Sequence, residues 1–161
     1  MSKQGLTNRF QFNHKLHSLG IKIEEEIKPY LDEFFDTKFE KRSNNVFDVI
    51  DFTNNENIQI EIKGRTCSST QYKDTIITCN KIHEAELLMD ENPELEVYLF
   101  FVFTDKTKYI KVPRERNWQV KLTGTWGIKH YLIPVDELIE FNGVEIKSNN
   151  EYNENEISKE D

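Results

Sequence analysis

Val46-Phe47-Asp48-Val49-Ile50-Asp51-Phe52-Thr53-Asn54-Asn55-Glu56-Asn57-Ile58-Gln59-Ile60-Glu61-Ile62-Lys63 reads as two strands and the turn between them. Ile58, Ile60 and Ile62 recur with period two, the mark of a strand with one buried face. Gln59, Glu61 and Lys63 then share the opposite face. A carboxylate and an ammonium are held side by side on a rigid element, close to the acids of the preceding strand. Carboxylate oxygens are hard ligands that suit Mg²⁺, with Mn²⁺ as a substitute. Such a cation stabilises charge developing on a phosphate and acidifies water, and a nearby lysine can orient that water. The plainer alternative is a set of solvent-face acids in which Glu61 and Lys63 form an ion pair.

Which aspartate joins Glu61 depends on the parity of the hairpin loop. If Asn54-Asn55 is a two-residue turn, Thr53 pairs with Glu56 and Asp48 lies opposite Glu61. An odd loop puts Asp51 on that face instead. Asn-Asn tolerates the positive φ that a type I′ turn needs at both positions, which favours Asp48.

Outward from this hairpin, the spacing of Leu16, Leu19, Ile23, Ile27, Tyr30 and Leu31 predicts a helix over about 14–35, weakened at Gly20 and Pro29. Residues 37–42 alternate weakly and give a first strand, so that three strands form an antiparallel meander. Residues 64–74 are polar and read as a loop. Asn80 is a plausible N-cap for a helix over 81–90. The almost wholly apolar stretch 95–103 reads as a strand covered on both faces. A strand at 108–112 follows, then a basic loop over 114–130, a short strand at 131–133, and a helix opened by Pro134.

The 161 residues suffice for one domain, taken as 1–146, followed by an acidic tail, 147–161, too polar to bury apolar surface. No apolar run is long enough to span a membrane, so no membrane partner is expected. Cys67 and Cys79 lack metal-ligand spacing and read as reduced thiols of an intracellular, cytoplasmic protein. The formal charge of −8 is unevenly spread. Residues 105–130 carry Lys106, Lys108, Lys111, Arg114, Arg116, Lys121 and Lys129 against Asp105 and Glu115. That local field suits a nucleic-acid backbone, with Arg114 and Arg116 as phosphate contacts. Arg65, just after the lysine strand, is a further candidate for holding phosphates.

The order helix, three strands, helix, strand, with an acid in the second strand and Glu61-Ile62-Lys63 in the third, resembles the PD-(D/E)XK nuclease superfamily over roughly 14–104. Phe47 stands where the motif's leading proline would be. The resemblance implies a restriction-endonuclease-like α/β fold with a mixed central sheet flanked by helices. It places the superfamily's acid on Asp48, its glutamate on Glu61 and its lysine on Lys63, with metal held by Asp48, Glu61 and the Ile62 carbonyl. Gly20-Ile21-Lys22-Ile23-Glu24 resembles the first-helix element of many members and suggests Glu24, with Glu25 and Glu26 as competitors. Lys81 matches the basic residue that members often carry at the start of the second core helix. The implied activity is a Mg²⁺-dependent endonuclease, DNA favoured over RNA, of restriction, junction-resolving or mobile-element type. Cutting two strands would suit a homodimer. The alternatives are a nucleic-acid-binding or assembly protein on the same fold without turnover, and an interaction protein acting through its acidic tail.

Overall fold

The isoleucines of the quoted stretch do enter one face of a strand. The computed structural model describes residues 3–42, 51–124 and 127–150, with side chains from residue 15 onward in those ranges. Ile58–Gly64 forms β3, whose residues Ile60 and Ile62 are buried against the first helix, α1 (Lys3–Phe34). Ile23, Ile27 and Leu31, one turn apart on α1, supply the other half of this packing and are fully buried. Each such side chain contributes roughly 1.5–3 kcal/mol. The helix begins eleven residues before the expected start and runs unbroken through Gly20 and Pro29.

β1 (Glu40–Lys41) and β2 (Phe52–Thr53) precede β3 as an antiparallel meander. From β3 the chain crosses over through β4 (Asp74–Thr78) and α2 (Cys79–Glu91) to β5 (Glu96–Val102), which pairs with β3 in parallel. β6 (Thr107–Lys111) and β9 (Ile139–Glu140) complete a mixed six-stranded sheet in the order β1-β2-β3-β5-β6-β9. β4 pairs with β8 (Ile128–Pro134), which pairs with β7 (Gln119–Thr123), as a separate three-stranded sheet. β5 is covered on both sides, as its composition predicts. Phe100 and Val102 pack with α1, while Val97, Leu99 and Phe101 pack with Ile82, Ala85 and Met89 of α2 and with Ile77 and Ile133 of the second sheet. The result is the expected α/β architecture, a mixed central sheet flanked by helices.

Close packing fixes the relation of α1 to β3. A Cβ on Gly64 would lie 2.8 Å from Ile23 Cδ1, so glycine is what lets the helix sit at this depth.

Four local expectations are corrected. Residues 114–130 hold β7 and the start of β8 rather than a loop. The segment after Pro134 is one 3₁₀ turn, Val135–Glu137, leading into β9. Val135, Leu138 and Phe141 are all buried, and their spacing of three suits that tighter turn as well as it suits a helix. α2 is flanked by Thr78 at its N-cap position, not Asn80. Residues 147–150, assigned by composition to the tail, form a helical turn docked on the body. The Ser148 hydroxyl donates to Glu26 Oε2, and Asn149 Nδ2 donates to the carbonyls of Arg65 (3.0 Å) and Val102 (2.9 Å). This clasp ties the ends of β3 and β5 together, and Asn149 is 1 % exposed.

Candidate active site

The hairpin between β2 and β3 decides the site. Thr53 pairs with Gln59, and Phe52 with Ile60. The residues enclosed run from Asn54 to Ile58, an odd number. Asn54 Oδ1 accepts the backbone N–H groups of Glu56 (3.0 Å), Asn57 (3.0 Å) and Ile58 (2.9 Å). A side chain, not a pair of left-handed residues, therefore shapes the loop. Within this loop only Asn55 has positive φ, 61°, where a type I′ turn needs two such residues. The expected Thr53–Glu56 pairing is thus corrected, and continuing the observed register sets Asp51 across from Glu61. Asp48, the acid favoured from sequence, lies outside the described residues.

Glu61 is not a solvent-face acid: it is only 3 % exposed. Its Oε1 meets two ammonium groups, Lys63 Nζ at 3.0 Å and Lys81 Nζ at 3.1 Å. β3 supplies Lys63 from the same strand face, and the first turn of α2 supplies Lys81. Glu61 Oε2 is buried and accepts no hydrogen bond among the described residues. An orphaned carboxylate oxygen is costly to leave uncompensated.

Asp51 lies beside it. Its Oδ2 accepts the backbone N–H of Ile62 at 2.6 Å. Burial, then the charge of Glu61, pushes its pKa up from 3.8 to about 6, against the opposing pull of the Ile62 N–H and Lys63. Glu24 reaches the group from α1 and hydrogen-bonds Asp51. Burial and the Asp51 charge raise the Glu24 pKa, while Lys41, 3.1 Å away on β1, opposes the shift. Glu26, one of the competitors of Glu24, is instead taken by Ser148.

This donor set suits a hard divalent cation. Among the described residues no three His, Cys, Asp or Glu side chains form a ready-made metal cage. Mg²⁺ does not require one: it is usually held by one or two carboxylates together with water and substrate phosphate. Two facing carboxylates, one with a buried oxygen unpaired among the described residues and the other with a pKa raised by burial and by its neighbour, are what a bound cation would relieve.

Residues 18–127 match the family described as "Phage putative PDDEXK endonuclease". The chain belongs to this family. The match spans Glu24, Asp51, Glu61, Lys63 and Lys81, and so covers the whole acid and lysine group. It supports a nuclease, and with it a nucleic-acid substrate. No curated protein and no solved structure matches the chain. Among the described residues no helix is long and apolar enough to cross a membrane.

The other sequence candidates lie apart from this group. Arg65 is turned inward: its Nε donates to Thr75 Oγ1 at 3.0 Å, Nη2 donates to the Ile76 carbonyl, and the guanidinium lies 5.4 Å from the Phe101 ring centroid. Arg114 binds Asp90 Oδ1 (3.1 Å) and the Met89 carbonyl (2.7 Å), closing the end of α2. Arg116 pairs with Glu86 and packs against the rings of Trp118 and Tyr131. Trp118 is buried, with Nε1 donating to Glu137 Oε2 at 3.1 Å. Lys41 was missed by the sequence reading, though its place in the predicted first strand was visible. Nothing in the polar composition of the last residues signals the Asn149 clasp.

Proposed function

We propose that this nuclease-family chain is a divalent-cation-dependent endonuclease acting on DNA, with Asp51 as the second carboxylate. The observation that carries this reading is Glu61: two lysines hold Oε1, and among the described residues Oε2 is left buried, unpaired and next to Asp51.

Asp51 and Glu61, with the Ile62 carbonyl, would hold Mg²⁺, or Mn²⁺ in its place. When bound, such an ion supplies positive charge against the phosphate oxygens and acidifies water. The protein's own groups do the rest. Lys81 fixes the Glu61 carboxylate from α2. Lys63 is one-third exposed and so reaches both Glu61 and the solvent side. Its ammonium orients the water whose oxygen attacks phosphorus as the bridging P–O bond breaks. Glu24 positions Asp51 by hydrogen bonding and shares its proton load.

The test is incubation of the protein with plasmid, single-stranded DNA, branched DNA and RNA in Mg²⁺, Mn²⁺ or EDTA. Cleavage should need the cation and vanish in Asp51→Ala and Glu61→Ala. Lys63→Met keeps the stem and removes the charge, so single-turnover cleavage should fall at least about a hundredfold with substrate binding retained. Full cleavage by Lys63→Met would remove the lysine from the mechanism. No cleavage by the wild type under any condition would favour a binding protein on this fold.

A further inference from the structure

The basic stretch 105–130 looks different once its partners are known. Lys106 is paired with Glu140, Lys111 with Glu96, Arg114 with Asp90 and Arg116 with Glu86. Lys108, Lys121 and Lys129 form no ion pair among the described residues. Lys129 lies on the part of β8 that only β7 pairs, and Lys121 stands at the root of that two-stranded ribbon, in a stretch from Gln119 to His130 without a single acid, although the chain has 29.

We propose that this ribbon enters the major groove of duplex DNA beside the cleavage site, an assignment that rests on the nuclease reading above. Its root is correctly placed. His130 pairs with Thr78, three residues before Lys81, whose ammonium touches Glu61. Beyond that point two more residue pairs, Leu122–Lys129 and Thr123–Ile128, extend the ribbon by about 7 Å before the turn. The register puts Lys121 and Lys129 on opposite faces, so each groove wall is met by one ammonium. Val120, Leu122 and Ile128 are about half or more exposed. Apolar side chains of this kind contact thymine methyl groups or wedge between bases. Gly124 and Gly127 have φ of 78° and 61°, and the Gly127 N–H donates to the Gly124 carbonyl at 3.3 Å, which reverses the chain between β7 and β8.

Groove geometry selects the duplex. Two strands lie about 4.8 Å apart, and a B-form major groove about 12 Å wide admits such a ribbon. The major groove of A-form RNA is too narrow for side chains to read. An exposed edge strand could instead pair with a second copy, but lysines on such a strand are what discourage that pairing.

The test is a salt series of fluorescence anisotropy measurements in EDTA, with duplex DNA, single-stranded DNA and duplex RNA as probes. Wild type is compared with Lys121→Gln/Lys129→Gln and with Leu122→Ser. Both variants change exposed positions, and an unaltered thermal melt checks the fold. The double variant should lose at least about tenfold in duplex DNA affinity, and its log K against log salt slope should shrink by about 2. Leu122→Ser should weaken duplex DNA binding without changing that slope. Unchanged duplex affinity and slope in the double variant would overturn the proposal, as would wild-type preference for duplex RNA. A dimer that Leu122→Ser converts to monomer in sedimentation would overturn it in favour of edge pairing. Cleavage measured in parallel separates the two readings. Loss of duplex binding in the variant, with a wild type that cleaves nothing, refutes the nuclease and keeps the ribbon. Intact cleavage with unaltered binding refutes only the ribbon.

Discussion

Asp51→Asn should make the protein more stable and inactive at once. The wild-type carboxylate is charged at neutral pH only at a cost, because burial and Glu61 raise its pKa from 3.8 to about 6. At 1.36 kcal/mol for each tenfold change in proton affinity, a rise of this size is worth up to about 3 kcal/mol. A raised carboxylate pKa means that the folded state binds the proton more tightly than the unfolded chain. The associated stability is present below pH 3.8, falls away as pH rises toward 6, and is absent above that. Asparagine keeps an oxygen to accept the Ile62 N–H and carries no charge. Urea unfolding in EDTA should therefore show Asp51→Asn level with wild type near the acid end. Its advantage should grow across the window and level off above about pH 6, at up to about 3 kcal/mol. Subtracting the two curves removes the contributions of acids that do not touch Asp51, such as Asp105, whose pKa, against the upward push of burial, is lowered by Ser69. Mg²⁺ at about a hundredfold its Kd should stabilise wild type by about 2.7 kcal/mol and leave the variant unchanged. Parallel pH profiles, or a variant weaker than wild type at neutral pH in EDTA, would refute the assignment of Asp51 as a carboxylate charged at a cost.

Asn149→Ala should destabilise the fold by about 1–3 kcal/mol in the same urea assay, because it strips the carbonyls of Arg65 and Val102 of a donor at a nearly sealed position. Gly20→Ala should stabilise by about 0.5–1 kcal/mol, since Gly20 lies inside α1 with nothing within 4 Å of an added Cβ; a lowered melting temperature would show that the site is not free. Ile60→Ala should cost about 2–5 kcal/mol, read by chemical denaturation, because Ile60 is fully buried under α1.

Much of the frame was legible in the sequence because it rests on periodicity. Alternation at Ile58, Ile60 and Ile62 placed Glu61 and Lys63 on one face, and a continuous apolar run marked β5 as covered twice. Register was not legible, because a single side-chain oxygen, Asn54 Oδ1, gathers three backbone donors and overrides the turn preference of the Asn-Asn pair. β7 was missed for a different reason: all of its residues but Thr123 are exposed, so no face is selected and no period appears. The clasp at Ser148 and Asn149 works through hydrogen bonds rather than apolar burial, which hydropathy does not register. The arginines read as phosphate contacts have fixed partners on α2 or β4, and charge counting cannot distinguish a spent cation from a free one.

Gly64 acts as a mechanical stop. Ile23 seats against it on the same turn of α1 that carries Glu24, and Gly64 follows Lys63 directly on the strand. Clearance at one hydrogen atom therefore gauges how far the helix carboxylate stands from the acids of the sheet. A methyl group there would meet the end of the fully buried Ile23 side chain, so either that side chain or the helix that carries Glu24 would have to shift, with no charged group altered. Alignment of the acids thus has a tolerance set by a residue with no side chain, and redesign of the site has to respect that gap before it touches any charge.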